Sequence, residues 1–223
     1  MSRLASHHKT DHAGTPIIPR ALAVLAALVG TALLAAPALA HHPMGGLTPA
    51  TFSQGLLSGI GHPIIGLDHL AFIIAVGLAA ATLPKRALMP LAFVAATGAG
   101  VVIHLALVNL PLVEVVISLS VLAVGVLLVS GKAIAAAAWA VLFAVAGLFH
   151  GYAYGEAIVG AETTPLLAYF LGFAVTQYGI AMAAMTMLRK ISVVTPSAQS
   201  LRLAGGVVAG VGLAFAHQAL SPF

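Results

Sequence analysis

The chain contains no cysteine. Disulfide scaffolds and thiolate metal centres are excluded, so any metal site must draw on imidazole, carboxylate, amide or backbone oxygen. Charge is scarce as well: Asp, Glu, Lys and Arg make up 6% of 223 residues, and only five are acidic. So little charge excludes an ordinary soluble domain and a disordered segment alike. No G-x-x-x-x-G-K-[ST] phosphate loop occurs, so the chain does not itself harness ATP. The pI near 9.8 arises from nine Lys and Arg scattered singly or in pairs. No basic patch of the kind that binds nucleic acid is present.

What the chain has instead is apolar length. Hydrophobic residues account for 61% of it and the mean hydropathy is +1.11, values that belong to an integral membrane protein. Residues 1–40 read as a secretory signal peptide: Arg3, Lys9 and Arg20 precede ALAVLAALVGTALLAA, and Pro37-Ala38-Leu39-Ala40 fits an A-x-A cleavage site. Residues 41–223 form a single transmembrane domain. About six apolar spans are expected, at 63–83, 88–108, 112–131, 133–151, 166–187 and 202–220. The fold class is therefore all-α, a polytopic transmembrane helix bundle.

Sidedness follows from the basic residues. Lys85 and Arg86, then Lys132, then Arg189, Lys190 and Arg202 occupy alternate connections, which the positive-inside rule assigns to the cytoplasm. Both mature termini are then periplasmic, as signal cleavage also requires, and the expected location is the bacterial inner membrane. On this frame every histidine and acid of the mature chain lies in the outer half. His41 and His42 open the mature chain, with Met44 close by. His62, Asp68 and His69 begin the first span, and His104 and Glu114 flank the next outer connection. His150 ends span four, Glu156 and Glu162 follow it, and His217 closes span six. Sorting of Lys and Arg explains their own positions, but it does not gather imidazole and carboxylate on the opposite side.

Neutral imidazole with carboxylate suits divalent first-row metals such as nickel, cobalt, zinc or copper. A carboxylate in a span costs roughly 2.5–3.5 kcal/mol, which marks Asp68 as functional. In a regular helix His62 and His69 share a stripe but stand about 10 Å apart along the axis, so they cannot both hold one ion. Either Pro63 and Gly66 break the helix, or the two histidines are successive stations on one path; regular spacing favours the stations. At the other motif, Gly151 and Gly155 let His150 and Glu156 converge from a helix end and its loop. Gly98–Gly100 and the Gly206/Gly210 pair read as helix-packing positions. Asn109-Leu110-Pro111 reads as a tight outer turn. Trp139, Met182, Met185 and Met187 read as packing or lipid-facing residues, and Gln177 and Tyr178 lean the same way.

The stretches HPIIGLDH (62–69) and FHGYAYGE (149–156) resemble the two motifs of the HupE/UreJ family of nickel and cobalt permeases. The first motif, His then five residues then Asp-His, is matched by His62, Asp68 and His69. The second is matched by Phe149, His150, Gly151, Gly155 and Glu156, and VGAETTPLLAYFLGF (159–173) continues the likeness. Some members carry a further His where this chain has Tyr154. The resemblance implies a six-span inner-membrane protein that moves nickel or cobalt into the cell for hydrogenase or urease maturation.

The expected function is therefore ATP-independent uptake of a divalent transition metal. His62, Asp68, His69, His150 and Glu156 form the expected metal site, with His41, His42, His104, Glu114, Glu162 and His217 as accessory positions. The metal ion is cargo, and no prosthetic group is expected. The partners are the ion and the lipid bilayer, and a homo-oligomer is compatible with the sequence. The alternative is an intramembrane metal-dependent hydrolase using the same His/Asp cluster, with three ligands converging on one point. A haem anchor pairing His104 with His150 or His217 would leave the carboxylates without a role.

Overall fold

The computed structural model describes residues 47–84, 86–191 and 198–221. The expected signal peptide, His41, His42 and Lys85 lie outside them. Seven α-helices occur among the described residues: α1 (Phe52–Ile65), α2 (Leu67–Ala80), α3 (Leu88–Leu105), α4 (Val113–Ser130), α5 (Ala136–Gly155), α6 (Thr163–Ile191) and α7 (Ala198–Leu220). A short 3-10 turn, Glu156–Ile158, follows α5. Helices α3 to α7 are each long and apolar enough to cross a membrane, and α1 with α2 makes a sixth candidate if the bent pair counts as one span.

That pair departs from the expected straight span at 63–83. Helix α1 begins well upstream, where Thr51 and Gln54 form a reciprocal capping box that satisfies the first free N–H groups. At Gly66 the chain leaves helical geometry, with φ −72° and ψ 101°, and α2 sets off at 79° to α1. A bent pair with irregular backbone at membrane depth is tolerated where protein surrounds it.

Helix α2 is the hub. Phe72, Ile73, Ala75, Val76, Ala79 and Ala80 are wholly buried, and the helix contacts each of the other six described α-helices. Its run of alanines and Gly77 explains this, because small residues let backbones approach where the hydrophobic effect between helices is absent. A Cβ on Gly77 would strike the Ala181 backbone of α6. Around the hub the helices pair strongly as α1 with α6, α3 with α5, and α4 with α7.

Glycine sets each of those pairs. Gly55 and Gly59 bring α1 against the backbone of Pro165 and Tyr169, and Gly100 and Gly151 bring α3 against α5. The α4–α7 contact uses Gly125, Gly205 and Gly212; Gly206 and Gly210 face open space. The expected G-x-x-x-G packing pair is thus displaced to glycines seven residues apart on the other face of α7. Gly98 likewise has only the Phe170 ring near it, at 3.9 Å. In the connection after α3 the chain turns at Ala106–Leu107 and Pro111–Leu112, with Leu107 and Leu112 left-handed, so the tight turn expected at Asn109-Leu110-Pro111 is not formed at Asn109 and Leu110.

Candidate metal site

The break at Gly66 decides the geometry of the first motif. His62 lies in the last turn of α1 and His69 in the first turn of α2, so the bend folds the two rings toward each other. Their centroids are 5.9 Å apart. Of the two arrangements the sequence left open, the structure adopts the broken helix, not separated stations on a regular one.

His150 arrives from α5. That helix runs on to Gly155, so His150 sits inside it rather than at its end. Gly151 rests on the backbone of Thr97, and this close approach of α5 to α3 places the imidazole in the core. His150 Nδ1 lies 2.7 Å from His69 Nδ1, and its Nε2 is 3.0 Å from Ser120 Oγ of α4. His62 Nδ1 lies 3.0 Å from the Tyr169 hydroxyl of α6. Tyr169 in turn donates to the backbone carbonyl of Tyr154 at 2.8 Å. Asp68, in the first turn of α2, accepts from the His69 amide at 2.8 Å, where the N-terminal end of the helix dipole favours a negative charge. His62, Asp68, His69 and His150 are each 2% exposed or less.

Tyr154 fills the space between the motifs. Its ring centroid is 4.8 Å from His62 and 4.5 Å from His69, and its buried hydroxyl has no hydrogen-bond partner. Among the described residues three other buried side-chain polar atoms are unpartnered: Ser58 Oγ, His104 Nδ1 and Gln177 Oε1. Gln177 is fully buried and reaches Thr97 Oγ1 at 3.3 Å.

The remaining sequence candidates stand apart from this cluster. Glu156 is exposed at the start of the 3-10 turn, and Glu114, Glu162 and His217 are exposed as well. His104 is half-buried against Tyr152, with ring centroids 4.4 Å apart, and packs beside Gly155. Among the described residues no three His, Asp or Glu side chains gather their donor atoms into one coordination set. The cluster is a linked group of imidazoles with a neighbouring carboxylate.

Aromatic rings pack against the histidines from the core side. The Phe72 ring lies tilted against His150, centroids 4.5 Å apart, with Phe93 and Phe143 at 5.2 and 6.2 Å. Phe143 lies on Trp139, which lines a cavity of about 250 Å³ with Thr82, Leu83 and Lys132 at the opposite end of the bundle. Tyr169 falls in the 159–173 stretch that continues the family likeness, but nothing in that stretch pointed to His62; Ser120 carries no motif, and packing alone brings it to His150.

Fold and cluster together define a multi-pass helical membrane protein with a closed histidine–carboxylate centre near one end. The HupE / UreJ protein family model matches residues 26–215, and the chain belongs to that family. It is 34% identical over 188 residues to Protein HupE of Rhizobium leguminosarum bv. viciae, covering 82% of this chain and 93% of that protein. No solved structure matches it.

Proposed function

We propose that the protein is an ATP-independent permease of the bacterial inner membrane that takes up a divalent transition-metal ion, nickel or cobalt by family resemblance. The observation that carries this reading is the meeting of His62, Asp68, His69 and His150, from both sides of a broken helix and from α5, in one buried cluster. Titratable groups inside a bilayer are costly and mark ion pathways, and imidazole with carboxylate suits borderline divalent cations. In this reading the cluster faces the periplasm, exposed Glu156 and Glu162 draw the ion in, and Asp68 offsets its charge. The Phe72–Phe93–Phe143 group holds the route shut until the helices shift and let the ion pass to the cavity beyond. An interior-negative potential favours entry of two charges by roughly 4.6 kcal/mol at 100 mV, so no ATP is needed.

Radioactive nickel or cobalt uptake into cells expressing the chain tests the reading. Expression of the wild type should raise uptake over cells without it, and Asp68→Ala and His69→Ala should abolish the increase at equal membrane abundance. Undiminished uptake by both variants would refute it.

A further inference from the structure

Along α6 the buried residues Tyr169, Phe173, Gln177 and Ala181 recur every four positions, so they form one stripe on the face turned to the bundle. Each marks a contact. Tyr169 reaches His62, Phe173 lies against Tyr154 with ring centroids 5.9 Å apart, and Ala181 meets Gly77 of the hub helix. Gln177 stands between the last two, about 12 Å along the axis beyond Tyr169, toward the end that carries Arg189 and Lys190. It bonds to Thr97, and Gly151 rests on the Thr97 backbone. The amide is therefore level with His150, deeper in the bundle than the contact between Tyr169 and His62.

Its partner fixes which way the amide points. Thr97 Oγ1 lies 2.8 Å from the Val94 carbonyl and 3.3 Å from the Gln177 amide. A hydroxyl has one proton to give, and the shorter contact takes it. Toward Gln177 the threonine accepts, so Nε2 faces Thr97 and the carbonyl Oε1 points away from it. Among the described residues nothing hydrogen-bonds to Oε1, although the residue is wholly buried. An unpaired buried acceptor is costly, and in a native fold it marks a bound water, a bound ion or a functional group. Holding α6 to α3 uses only the donor end of the amide. Helix packing therefore leaves the oxygen unexplained.

We propose that Gln177 Oε1 is a second station on the permeation route, a carbonyl oxygen that receives the divalent cation as it leaves the histidines, with Thr97 as the residue that positions the amide. This rests on the metal-uptake reading and adds the step that follows capture. Imidazole suits nickel better than a carbonyl oxygen does, so the ion passes from a firmer donor to a looser one. A route needs sites that admit the ion and then let it go. A neutral amide supplies a dipole without the charge that would trap a dication. It also spares the ion a passage through the apolar core with no protein donor.

Two measurements test this. The full chain in nanodiscs, with glutamine ¹³C-labelled at the side-chain carbonyl and its bands assigned by Gln→Asn variants, is titrated with nickel and followed by infrared difference spectroscopy. The Gln177 band should move to lower frequency once the histidine cluster is filled. A band that never moves, as for a pocket that holds water only, would overturn the proposal. In cells, Gln177→Leu and Thr97→Val should lower maximal nickel uptake by about 10–100-fold at equal membrane abundance, with the half-saturating concentration unchanged. A purely structural role would instead lower the melting temperature and leave uptake per folded chain intact; wild-type maximal uptake by both folded variants would overturn the proposal. If the band shifts but cells expressing the wild type take up no nickel, the uptake reading fails and the oxygen site stands.

Discussion

Gly66→Ala is the most informative single change, because the structure separates its effect on the site from its effect on the fold. The backbone at Gly66, φ −72° and ψ 101°, is open to any L-residue. Alanine there also restricts the unfolded chain, which is worth about 0.4–1 kcal/mol in favour of folding. The new methyl nevertheless comes within 2.6 Å of His69 Cδ2, and within 3.4 Å of Asp68 Oδ1. Carbon atoms rest at about 3.5–4.0 Å, so the His69 ring must retreat by about 1 Å. That displacement spoils the 2.7 Å contact with His150 and turns the ring away from His62. Misplacing a functional group by about 1 Å costs on the order of 100-fold. Thermal unfolding of purified Gly66→Ala should therefore match the wild type to within about 1 kcal/mol, while nickel uptake falls at least tenfold. A folded variant with wild-type uptake would refute the claim that the bend at Gly66 sets the site. Gly77→Ala is the useful contrast: its methyl meets the Ala181 backbone rather than a side chain, so it should lower stability itself.

Other outcomes follow from the same geometry. Asp68→Asn should reduce uptake more than tenfold, whereas exposed Glu156→Gln should cost no more than a fewfold, read in the same radioisotope assay; the reverse order would place the working carboxylate in the loop. Tyr154→Phe removes a buried hydroxyl that has no partner, so the melting temperature should be unchanged or higher; a loss above about 1 kcal/mol would reveal a partner for it. Phe72→Ala opens the aromatic closure beneath His150, and cells expressing it should take up manganese and zinc together with nickel; unaltered selectivity in a folded variant would exclude Phe72 as a barrier.

The long apolar runs were readable because twenty such residues have few other homes. Helices α3, α4 and α7 fall within a few residues of the expected spans. Helix α1 was not legible as a helix: FSQGLLSGIGHPII mixes glycine, serine and proline, and only the capping box at Thr51 and Gln54 signalled its start. The bend at Gly66 was one of two open possibilities, since proline and glycine permit a break without requiring one. His62, Asp68, His69 and His150 were found through their motifs. Tyr169 sits in the quoted 159–173 stretch, but its contact with His62 was not legible, because it spans 107 residues of sequence and helix pairing rather than local pattern makes it. Glu156 shows the opposite failure. Gly151 and Gly155 suggested a helix end and a converging loop, but the helix continues past His150 to Gly155 and carries the acid out to the surface. Gly206 and Gly210 fit a packing spacing, yet the face of α7 that meets α4 is chosen by Gly205 and Gly212.

X-ray absorption at the nickel edge of the metal-loaded protein shows directly which atoms hold the ion. Imidazole scattering is expected in the wild type, with its outer-shell signal lost from the His62→Ala, His69→Ala double variant. Nickel bound only by oxygen in the wild type, or an imidazole signal that survives the double substitution, would contradict the histidine site.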